Sequence, residues 1–395
     1  MKEGWEYKTF KDQFSINMGK TPPRGDSSSW DKSKNTTNKW VSIADISLNE
    51  GKIIFDTKEY ISDKAAEKIK KVKAGSLLMS FKLTIGKMAF AGDDLFTNEA
   101  IIAIPQNEDY DLHFLYYYLL QYDWRTLTEG NEKVKGATLN KQSIGKIQLP
   151  IISMDEQRRI VSYLDSSFKL IDEIKNKALK SLTEAKALFQ SALAEAMEPK
   201  EGWEEKTLGE ICFIARGGSP RPIKNFLTED ESGIPWIKIG DTEIGGKFIN
   251  CTKEKIKKEG IKSSRFVRKG DFLLSNSMSF GRPYILKTDG CIHDGWLVLQ
   301  NFKDTFIDDF LYYLLSCNYV QKQFDEYAYG STVRNLKTDS VSRVSVNYPP
   351  LPTQKQIVSH LDKLSSKVRA IEEKYQKMVE ECDALKQAML RDVFE

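Results

Sequence analysis

The stretch SMDEQRRIVSYLDSSFKLIDEIKNKALKSLTEAKALFQSALAEAM (Ser153–Met197) decides the organisation of the chain, because two interleaved seven-residue repeats run through it. Ten of the eleven repeat positions are apolar; they are Val161, Phe168, Lys175, Leu182, Phe189 and Ala196 in one series and Leu164, Ile171, Ala178, Ala185 and Ala192 in the other. Two apolar positions per heptad are typical of a coiled-coil seam. Ser153 with Glu156 resembles a capping box, and Pro199 follows the last heptad. The stretch predicts a long helix over 153–198.

A second heptad stretch occupies the C-terminus, over 352–395. Its large residues (Leu, Ile, Tyr, Met) can pack against the alanines of the first helix, which favours an intramolecular pair. The first helix leaves one domain and the second must return, so we expect the pair to be antiparallel. Thr353 with Gln356 predicts its cap. The predicted seam consists of Leu164, Phe168, Ile171, Leu182, Phe189, Leu361, Leu364, Val368, Ile371, Met378 and Leu385, while Leu170, Leu179, Leu188 and Leu193 are expected to face outward.

Almost everything before the first long helix recurs after it. KEGWEYKTF at 2–10 returns as KEGWEEKTL at 200–208, and QRRIVSYLD at 157–165 returns as QKQIVSHLD at 354–362. These repeats indicate that a unit of one domain plus one helix has been duplicated. The predicted bounds are 1–152 for the first domain, 153–198 for the central helix, 199–351 for the second domain and 352–395 for the C-terminal helix.

The fold class predicted for the whole chain is α+β. Short β-rich runs such as 76–80 and 99–104 are separated by Gly or Asp turns, and an aromatic helix is expected over 111–127 and again over 308–326. The regular βαβ alternation of a doubly wound fold is missing, so each domain should hold a mixed or antiparallel sheet. Trp40 and Trp236 are expected in the cores.

Composition narrows the classes of function. The formal net charge is +3, no apolar run is long enough to span a membrane, and the N-terminus is polar throughout, so we expect a cytoplasmic protein. The five cysteines have no CxxC spacing and only three histidines are present, which favours reduced thiols and no metal site.

Motifs of catalysis are incomplete. Gly19-Lys20-Thr21 lacks the earlier glycine of a phosphate loop, and Glu173-Ile-Lys175 lies inside the predicted coiled coil. We predict no catalytic, cofactor-binding or metal-binding residue in this chain.

The duplicated GWE-x-K-T openings, the W-[VI]-x-I-x-D strands and the QRRIV-type helix starts resemble the specificity (S) subunit, HsdS, of type I restriction-modification systems. The resemblance covers essentially the whole chain. It implies that each domain is a target recognition domain for half of a split double-stranded DNA target, and that the helices bind two methyltransferase (M) subunits. S-adenosylmethionine then belongs to the M subunits, and ATP and Mg to restriction (R) subunits. A DNA-bridging coiled-coil scaffold that works without a methyltransferase is the alternative.

Candidate DNA contacts lie in the duplicated loops, which are 19–30, 80–87 and 131–141 in the first domain and 216–224, 275–284 and 329–337 in the second. Their donors suit bases or phosphates. The predicted residues are Lys20, Thr21, Arg24, Lys82, Thr84, Lys87, Lys135, Thr138, Asn140, Arg216, Ser219, Arg221, Asn276, Ser277, Arg282, Tyr284, Thr332 and Arg334. Each could instead be a solvated loop side chain. Gly86 and Gly281 suit tight turns, and the lysine-rich segments 64–73 and 253–269 could contact phosphates or simply be solvated.

Overall fold

The computed structural model describes residues 2–127, 139–243, 245–277, 280–328 and 335–395. The chain divides into two compact units. Unit 1 contains Met1–Lys177 and Met378–Glu395, and unit 2 contains Ala178–Lys377. Within the described residues, no helix is apolar enough over a sufficient length to cross a bilayer.

Unit 1 combines three small sheets with short helices. Its strands are β1 (Glu6–Thr9), β2 (Asn17–Met18), β3 (Lys39–Val41), β4 (Ile53–Ile54), β5 (Glu59–Tyr60), β6 (Leu77–Ser80), β7 (Met88–Ala91), β8 (Phe96–Thr97), β9 (Ile101–Ile104) and β10 (Gln148–Ile151). Its helices are α1 (Phe10–Gln13), α2 (Ile43–Leu48), α3 (Asp63–Ala66), α4 (Leu112–Leu120), α5 (Lys141–Gly145) and the start of the long α6 (Met154–Ala196).

The main sheet of unit 1 has the order β2-β9-β6-β7-β4, and a smaller sheet has the order β5-β3-β8. Pairs β4–β7 and β3–β8 are parallel, and the other pairs in these two sheets are antiparallel. β1 pairs separately with β10, so the start of the domain is joined to the strand that leads into α6. The prediction of a mixed sheet is confirmed.

Unit 2 repeats this plan. Its strands are β11 (Glu204–Thr207), β12 (Phe213–Arg216), β13 (Leu227–Thr228), β14 (Ile234–Ile237), β15 (Phe248–Ile249), β16 (Glu254–Ile256), β17 (Arg265–Val267), β18 (Phe272–Ser275), β19 (Pro283–Leu286), β20 (Gly290–Ile292), β21 (Trp296–Gln300) and β22 (Ser345–Tyr348). Its helices are α7 (Leu208–Ile211), α8 (Asp308–Ser316), α9 (Asn318–Tyr327), α10 (Thr338–Ser342) and most of α11 (Leu351–Phe394).

The strand orders of unit 1 recur in unit 2, where the second sheet has two additional strands. The sheet β12-β21-β18-β19-β15 corresponds to β2-β9-β6-β7-β4, and β16-β14-β20 corresponds to β5-β3-β8 with β13 and β17 added at its edges. The same two positions, β15–β19 and β14–β20, are parallel. The internal duplication predicted from the sequence is therefore present at the level of topology.

Each aromatic helix differs from its predicted length. In unit 1, α4 ends at Leu120 and a separate 3-10 turn covers Trp124–Leu127. In unit 2, the extended backbone of Cys317, with ψ of 148°, divides the stretch into α8 and α9. The expectation of single helices over 111–127 and 308–326 was wrong. Trp40 and Trp236 are buried, as expected.

The two long helices are confirmed and run antiparallel. In unit 1, Lys175 pairs with Asp383 at 2.6 Å and Asp172 pairs with Lys386 at 2.6 Å, so positions rise along α6 as they fall along α11. Lys175, the polar exception in the heptads, thus forms an ion pair with the partner helix. In unit 2, Phe189 and Leu193 of α6 share a core with Val358 and Leu361 of α11.

One heptad series of α11 was placed one residue too early. Ile371 and Leu385 are 40% and 51% exposed, so their assignment to the seam was wrong. The less exposed series lies one residue later and includes Val358, Val379 and Lys386 beside Leu361 and Cys382. The assignment was based on apolar residue type, but a charged residue occupies this part of the seam. Lys386 lays its aliphatic stem along the seam and places its ammonium 5.0 Å from the Phe168 ring centroid.

Some of the remaining seam and cap predictions agree with the structure and others do not. Leu164, Ile171 and Leu361 are buried, and the rest of the predicted seam is partly buried; these are Phe168, Leu182, Phe189, Leu364, Val368 and Met378. Leu170, Leu179 and Leu188 are exposed as expected, but Leu193 is 1% exposed and belongs to the core of unit 2. The predicted cap at Thr353 was wrong, because α11 begins at Leu351. Ser153 does accept the N–H of Glu156 at 3.3 Å.

Two equivalent buried glutamines attach the long helices to their domains. Gln157 accepts the N–H of Asp111 at 2.8 Å and donates to the carbonyls of Asp109 and Ile152. Gln354 accepts the N–H of Ile307 at 3.1 Å and donates to the carbonyls of Thr305 and Pro349, at 2.7 and 2.9 Å. Both side chains are fully buried, so the duplicated glutamine of the two helix starts is a structural anchor.

A tyrosine on the aromatic helix of each unit forms a second attachment to a long helix. Tyr117 donates to Asp165 at 2.5 Å in unit 1, and Tyr313 donates to Asp362 at 2.6 Å in unit 2. Burial, together with the neighbouring carboxylate, raises the pKa of both tyrosines, so the hydroxyls keep their protons and remain donors. These hydrogen bonds therefore join the aromatic helices to the long helices.

Candidate nucleic-acid interface

The predicted loops of unit 1 meet at the turn between β8 and β9. The N–H of Gly19 donates to Ile101 at 3.2 Å and that of Lys20 donates to Thr97 at 2.9 Å, which fixes the start of loop 19–30. The N–H of Phe81 donates to Ala100, and the N–H of Leu139 donates to Phe81, each at 3.0 Å. Backbone hydrogen bonds therefore bring loops 19–30 and 80–87 and the end of the third loop together.

The loops of unit 2 meet in the same way. The N–H groups of Gly217 and Gly218 donate to Trp296 and Ile292, at 2.9 and 3.2 Å. The N–H of Asn276 donates to Gly295, and that of Leu336 donates to Asn276, each at 2.9 Å. Each bond corresponds to one in unit 1, so the duplicated sequence builds the same loop cluster twice.

An acidic residue lies at the centre of each cluster, and the sequence analysis missed both. The hydroxyl of Thr21 donates to Glu99, and the hydroxyl of Ser219 donates to Asp294 at 2.7 Å. A single carboxylate in a turn forms no recognisable motif, which explains the omission. Aligning the parallel pairs Trp40–Phe96 and Trp236–Cys291 would have placed Glu99 and Asp294 at equivalent positions.

The electrostatics of the two carboxyl groups are alike. The hydrogen bond from Ser219 lowers the pKa of Asp294 against the opposing effect of burial, and the charge of Arg221 lowers it further. Burial raises the pKa of Glu99, but the Thr21 hydroxyl and the nearby charges of Lys82 and Arg24 outweigh it, so the net shift is downward. Both groups are ionised near neutral pH and attract cationic side chains into the loop cluster.

Several predicted residues of unit 2 converge on Asp294. Arg216 donates from Nε to the Asp294 carbonyl at 2.9 Å, and the Arg221 guanidinium lies 3.4 Å from its carboxylate. Both arginines are exposed, so their remaining donors face solvent. Arg216, Ser219 and Arg221 therefore form one preorganised group of donors.

Two predicted contacts of unit 2 are corrected by their burial. Asn276 is 1% exposed and its amide donates to the Asp294 carbonyl at 2.8 Å, so it supports the loop from inside. Tyr284 is buried in β19 with its ring against Trp296. Neither side chain is accessible to DNA, because both are almost completely buried. Ser277 is partly buried, and Arg282 is exposed.

Arg24 of unit 1 is held by three neighbouring side chains. Its guanidinium lies 4.2 Å from the Trp30 ring centroid and 4.8 Å from that of Trp40, and it pairs with Glu59 at 2.5 Å. Cation–π and ionic contacts of this kind hold the planar group in one orientation while half of the side chain stays exposed. Arg24 can therefore present its free edge to a base or phosphate without further ordering.

The other candidates of unit 1 have varied surroundings. Lys20 is exposed, Lys82 lies with its ammonium 5.5 Å from the Phe81 centroid, and Lys87 pairs with Glu50 at 2.9 Å. The Thr84 hydroxyl is buried without a hydrogen-bond partner among the described residues. Asn140 accepts the N–H of Ser143 at 2.8 Å as the cap of α5. Lys135, Thr138, Thr332 and Arg334 lie outside the described residues.

The turn glycines have structural reasons. Gly86 has φ of +80°, and a Cβ there would lie 2.2 Å from the Trp124 indole nitrogen. Gly281 has φ of +76°, and a Cβ there would lie 3.1 Å from Gln321. Positive φ and close neighbours both favour glycine at these positions without reference to DNA.

A protein family model matches both halves of the chain. The model of the type I restriction modification DNA specificity domain matches residues 2–184 and 200–381, one match in each half of the chain. A Haemophilus influenzae protein described as a putative type I restriction enzyme specificity subunit is 26% identical over 283 residues, which cover 70% of each chain. The MjaIX specificity subunit of Methanocaldococcus jannaschii is 23% identical and covers 92% of this chain and 87% of its own.

Solved structures agree on the fold. A chain from a type I R-M system, studied for complex assembly and conformational transition, aligns with a TM-score of 0.81 at 20% identity and covers 100% of this chain and 98% of its own. The HsdS subunit from Thermoanaerobacter tengcongensis aligns with a TM-score of 0.55 at 19% identity, covering 100% and 97%. At these identities the alignments establish the architecture alone.

Proposed function

The chain belongs to the type I restriction modification DNA specificity domain family, and we propose that it reads a two-part DNA target on behalf of partner methyltransferase subunits. Recognition of DNA sequence is what this family implies. The observation that supports a two-part target is the duplicated loop cluster, in which the same backbone hydrogen bonds hold the first two loops and the end of the third in each unit. Two copies of one reading surface suit two half-sites.

The chemistry of each cluster suits readout of base edges. A major groove is read by side chains that present several donors in a fixed geometry, and arginine binds guanine through two parallel donors. Arg24 in unit 1, and Arg216 and Arg221 in unit 2, are held by aromatic or acidic neighbours while part of each side chain remains exposed. We propose these three as principal contacts, with Lys20 and Lys82 nearer the phosphates.

The proposed partners of the long helices are two M subunits, one for each copy of the repeat. In unit 1, the exposed apolar residues Tyr163, Leu170 and Ile174 lie on one face of α6, at steps of seven and four residues. A helix face of this kind is suited to a partner helix. Catalysis is assigned to the partners: S-adenosylmethionine to M, and ATP and Mg to R subunits.

Co-expression with its M subunits, followed by sequencing of modified bases in the host genome, tests this function. We expect one methylated motif with two defined halves separated by undefined positions. The double variant Arg216→Gln, Arg221→Gln should weaken or alter one half only, while Lys322→Gln, at an exposed lysine of α9 outside the loops and the lysine-rich segments, should leave the motif unchanged. Failure of M to co-purify with the chain would instead favour a scaffold that works without a methyltransferase.

A further inference from the structure

We propose that unit 1 contains a binding site for a phosphate-sized oxyanion, in a cavity between β2 and the segment Lys70–Lys73. The cavity has a volume of about 160 Å³, well above the roughly 10–15 Å³ that one water requires. The residues that define its chemistry are Asn17, Lys70, Lys71, Lys73, Ser76 and Thr97, and no carboxylate is among the described residues that line it.

The charge of the lining selects an anion. Lys73 pairs with Asp94 at 2.8 Å, but Lys70 donates to the neutral amide oxygen of Asn17 at 2.8 Å, and the Lys71 ammonium lies 5.7 Å from the Phe96 ring. Among the described residues, neither Lys70 nor Lys71 forms a salt bridge. The Lys73 hydrogen bond and, more weakly, the Lys71 charge lower the pKa of Asp94, but this carboxylate does not line the cavity. Two ammonium groups that form no salt bridge beside one cavity attract a negatively charged ligand and repel a cation.

A buried hydroxyl in the same wall supplies the second observation. Thr97 is 1% exposed, and its Oγ1 has no hydrogen-bond partner among the described residues. This oxygen lies only 2.3 Å from the position a Cβ would take on Gly19, and both residues line the cavity. Buried hydroxyls are normally satisfied, because an unpaired one loses its hydrogen bonds to water without replacement. An oxyanion in the cavity would accept a hydrogen bond from the Thr97 hydroxyl.

The equivalent positions of unit 2 do not carry the same set of lysine and hydroxyl side chains, so unit 2 serves as an internal control for the site. The pairings Val72–Leu95 and Val267–Gly290 place Thr97 at the position of Ile292, and Lys71 at the position of Phe266. Lys70 corresponds to Arg265, whose Nε donates to the Arg216 carbonyl at 2.7 Å. Ser76 corresponds to Asp271, which is acidic. The site is therefore predicted in unit 1 alone.

Two sources could supply the oxyanion, and both present the same chemistry. Gly19 is the first residue of loop 19–30, so a backbone phosphate of bound DNA could reach the cavity; this arm rests on the proposed function. Free inorganic phosphate is the other source. Lysine binds either as a point charge, and a hydroxyl donor adds direction.

Inorganic phosphate tests the site without DNA. Thermal unfolding of the full chain should shift to higher temperature as sodium phosphate replaces sodium chloride at constant ionic strength, because a ligand of the folded state stabilises it. Thr97→Val, which keeps the side-chain shape, and the double variant Lys70→Gln, Lys71→Gln should each weaken apparent phosphate affinity at least tenfold. Lys52→Gln, at an exposed lysine that neither lines the cavity nor belongs to the lysine-rich segments, should retain it. In phosphate-free buffer Thr97→Val should unfold no earlier than the wild type, which separates lost binding from damage.

The salt dependence of DNA binding by the chain with its M subunits identifies the source. If a DNA phosphate occupies the cavity, the lysine double variant should reduce the slope of log K against log salt by about 0.9 for one lost contact, and Lys52→Gln should not. A lost phosphate shift with an unchanged slope identifies a free anion. The absence of any phosphate shift in the wild type, together with an unchanged slope in the double variant, would overturn the site. A complex that binds no DNA but keeps the phosphate shift would refute the proposed function and leave the site standing.

Discussion

Replacement of Gln354 by leucine tests whether the duplicated glutamines hold the long helices to their domains. The side chain is fully buried and forms three hydrogen bonds with the backbone, to the N–H of Ile307 and to the carbonyls of Thr305 and Pro349. Leucine has a similar volume but no polar atoms, so Gln354→Leu leaves these three backbone groups without their partner. Each buried group left unpaired costs about 1–3 kcal/mol, so the loss is about 3 kcal/mol at the lower end.

That loss should be visible as faster amide exchange. A decrease of about 3 kcal/mol in the free energy of local opening corresponds to an increase of about 150-fold in exchange rate. Hydrogen–deuterium exchange of the full-length chain, followed by mass spectrometry, should show the increase in peptides around Ile307 and the start of α11. Peptides of unit 1 should keep their protection.

Two further variants serve as controls. Gln142→Leu changes an exposed glutamine of α5 and should alter exchange little. Gln157→Leu removes the equivalent anchor, so the loss of protection should move to the N–H of Asp111 in unit 1. If Gln354→Leu exchanged no faster than Gln142→Leu, the buried amides would be incidental to the attachment of the helices.

The other predictions concern the second attachment, the acidic centre of unit 2 and the docking face. Tyr313→Phe removes the hydrogen bond to Asp362 and should lower the free energy of unfolding of unit 2 by about 1 kcal/mol in urea titrations, whereas Tyr312→Phe, whose side chain is only partly buried, should change it less. The pKa of Asp294 is lowered in the folded chain, so its contribution to stability is present above the unfolded pKa of about 3.9 and is lost as pH falls through the folded pKa. Asp294→Asn should therefore lower Tm at pH 7 and converge with the wild type in strong acid; a constant difference at all pH values would contradict this. Leu170→Ser should weaken capture of an M subunit in native mass spectrometry, and the matched change Lys169→Ser should not.

The sequence predicted the architecture because the duplication and the heptads are repeated signals. Each of the two helix starts carries a glutamine that is fully buried, and each Trp-containing strand occupies the same place in its sheet. Agreement between two copies within one chain reduces the ambiguity that a single β-rich run would leave.

Prediction from the sequence failed where the position of a residue in the fold differs from what its residue type suggests. Leu385 is apolar but exposed, while Lys386 places its stem in the seam, because a helix face is set by angle and a long charged side chain can cover apolar surface. The loop clusters show the same limit. Asn276 has the donors of a base-reading residue, yet its backbone position turns the amide inward. The role of Asp294 depends on the turn that places its carboxylate beside Ser219, and no sequence motif marks that turn.

Exchange of residues 203–347 for the matching domain of a related chain tests the central claim most directly. The exchange keeps both long helices and the whole of unit 1's globular part, so co-expression with the same M subunits should still yield an active complex. Sequencing of modified bases should then report a motif in which one half has changed and the other half is identical to that of the wild type. A motif changed in both halves, or unchanged in both, would contradict the proposal that each unit reads its own part of the DNA target.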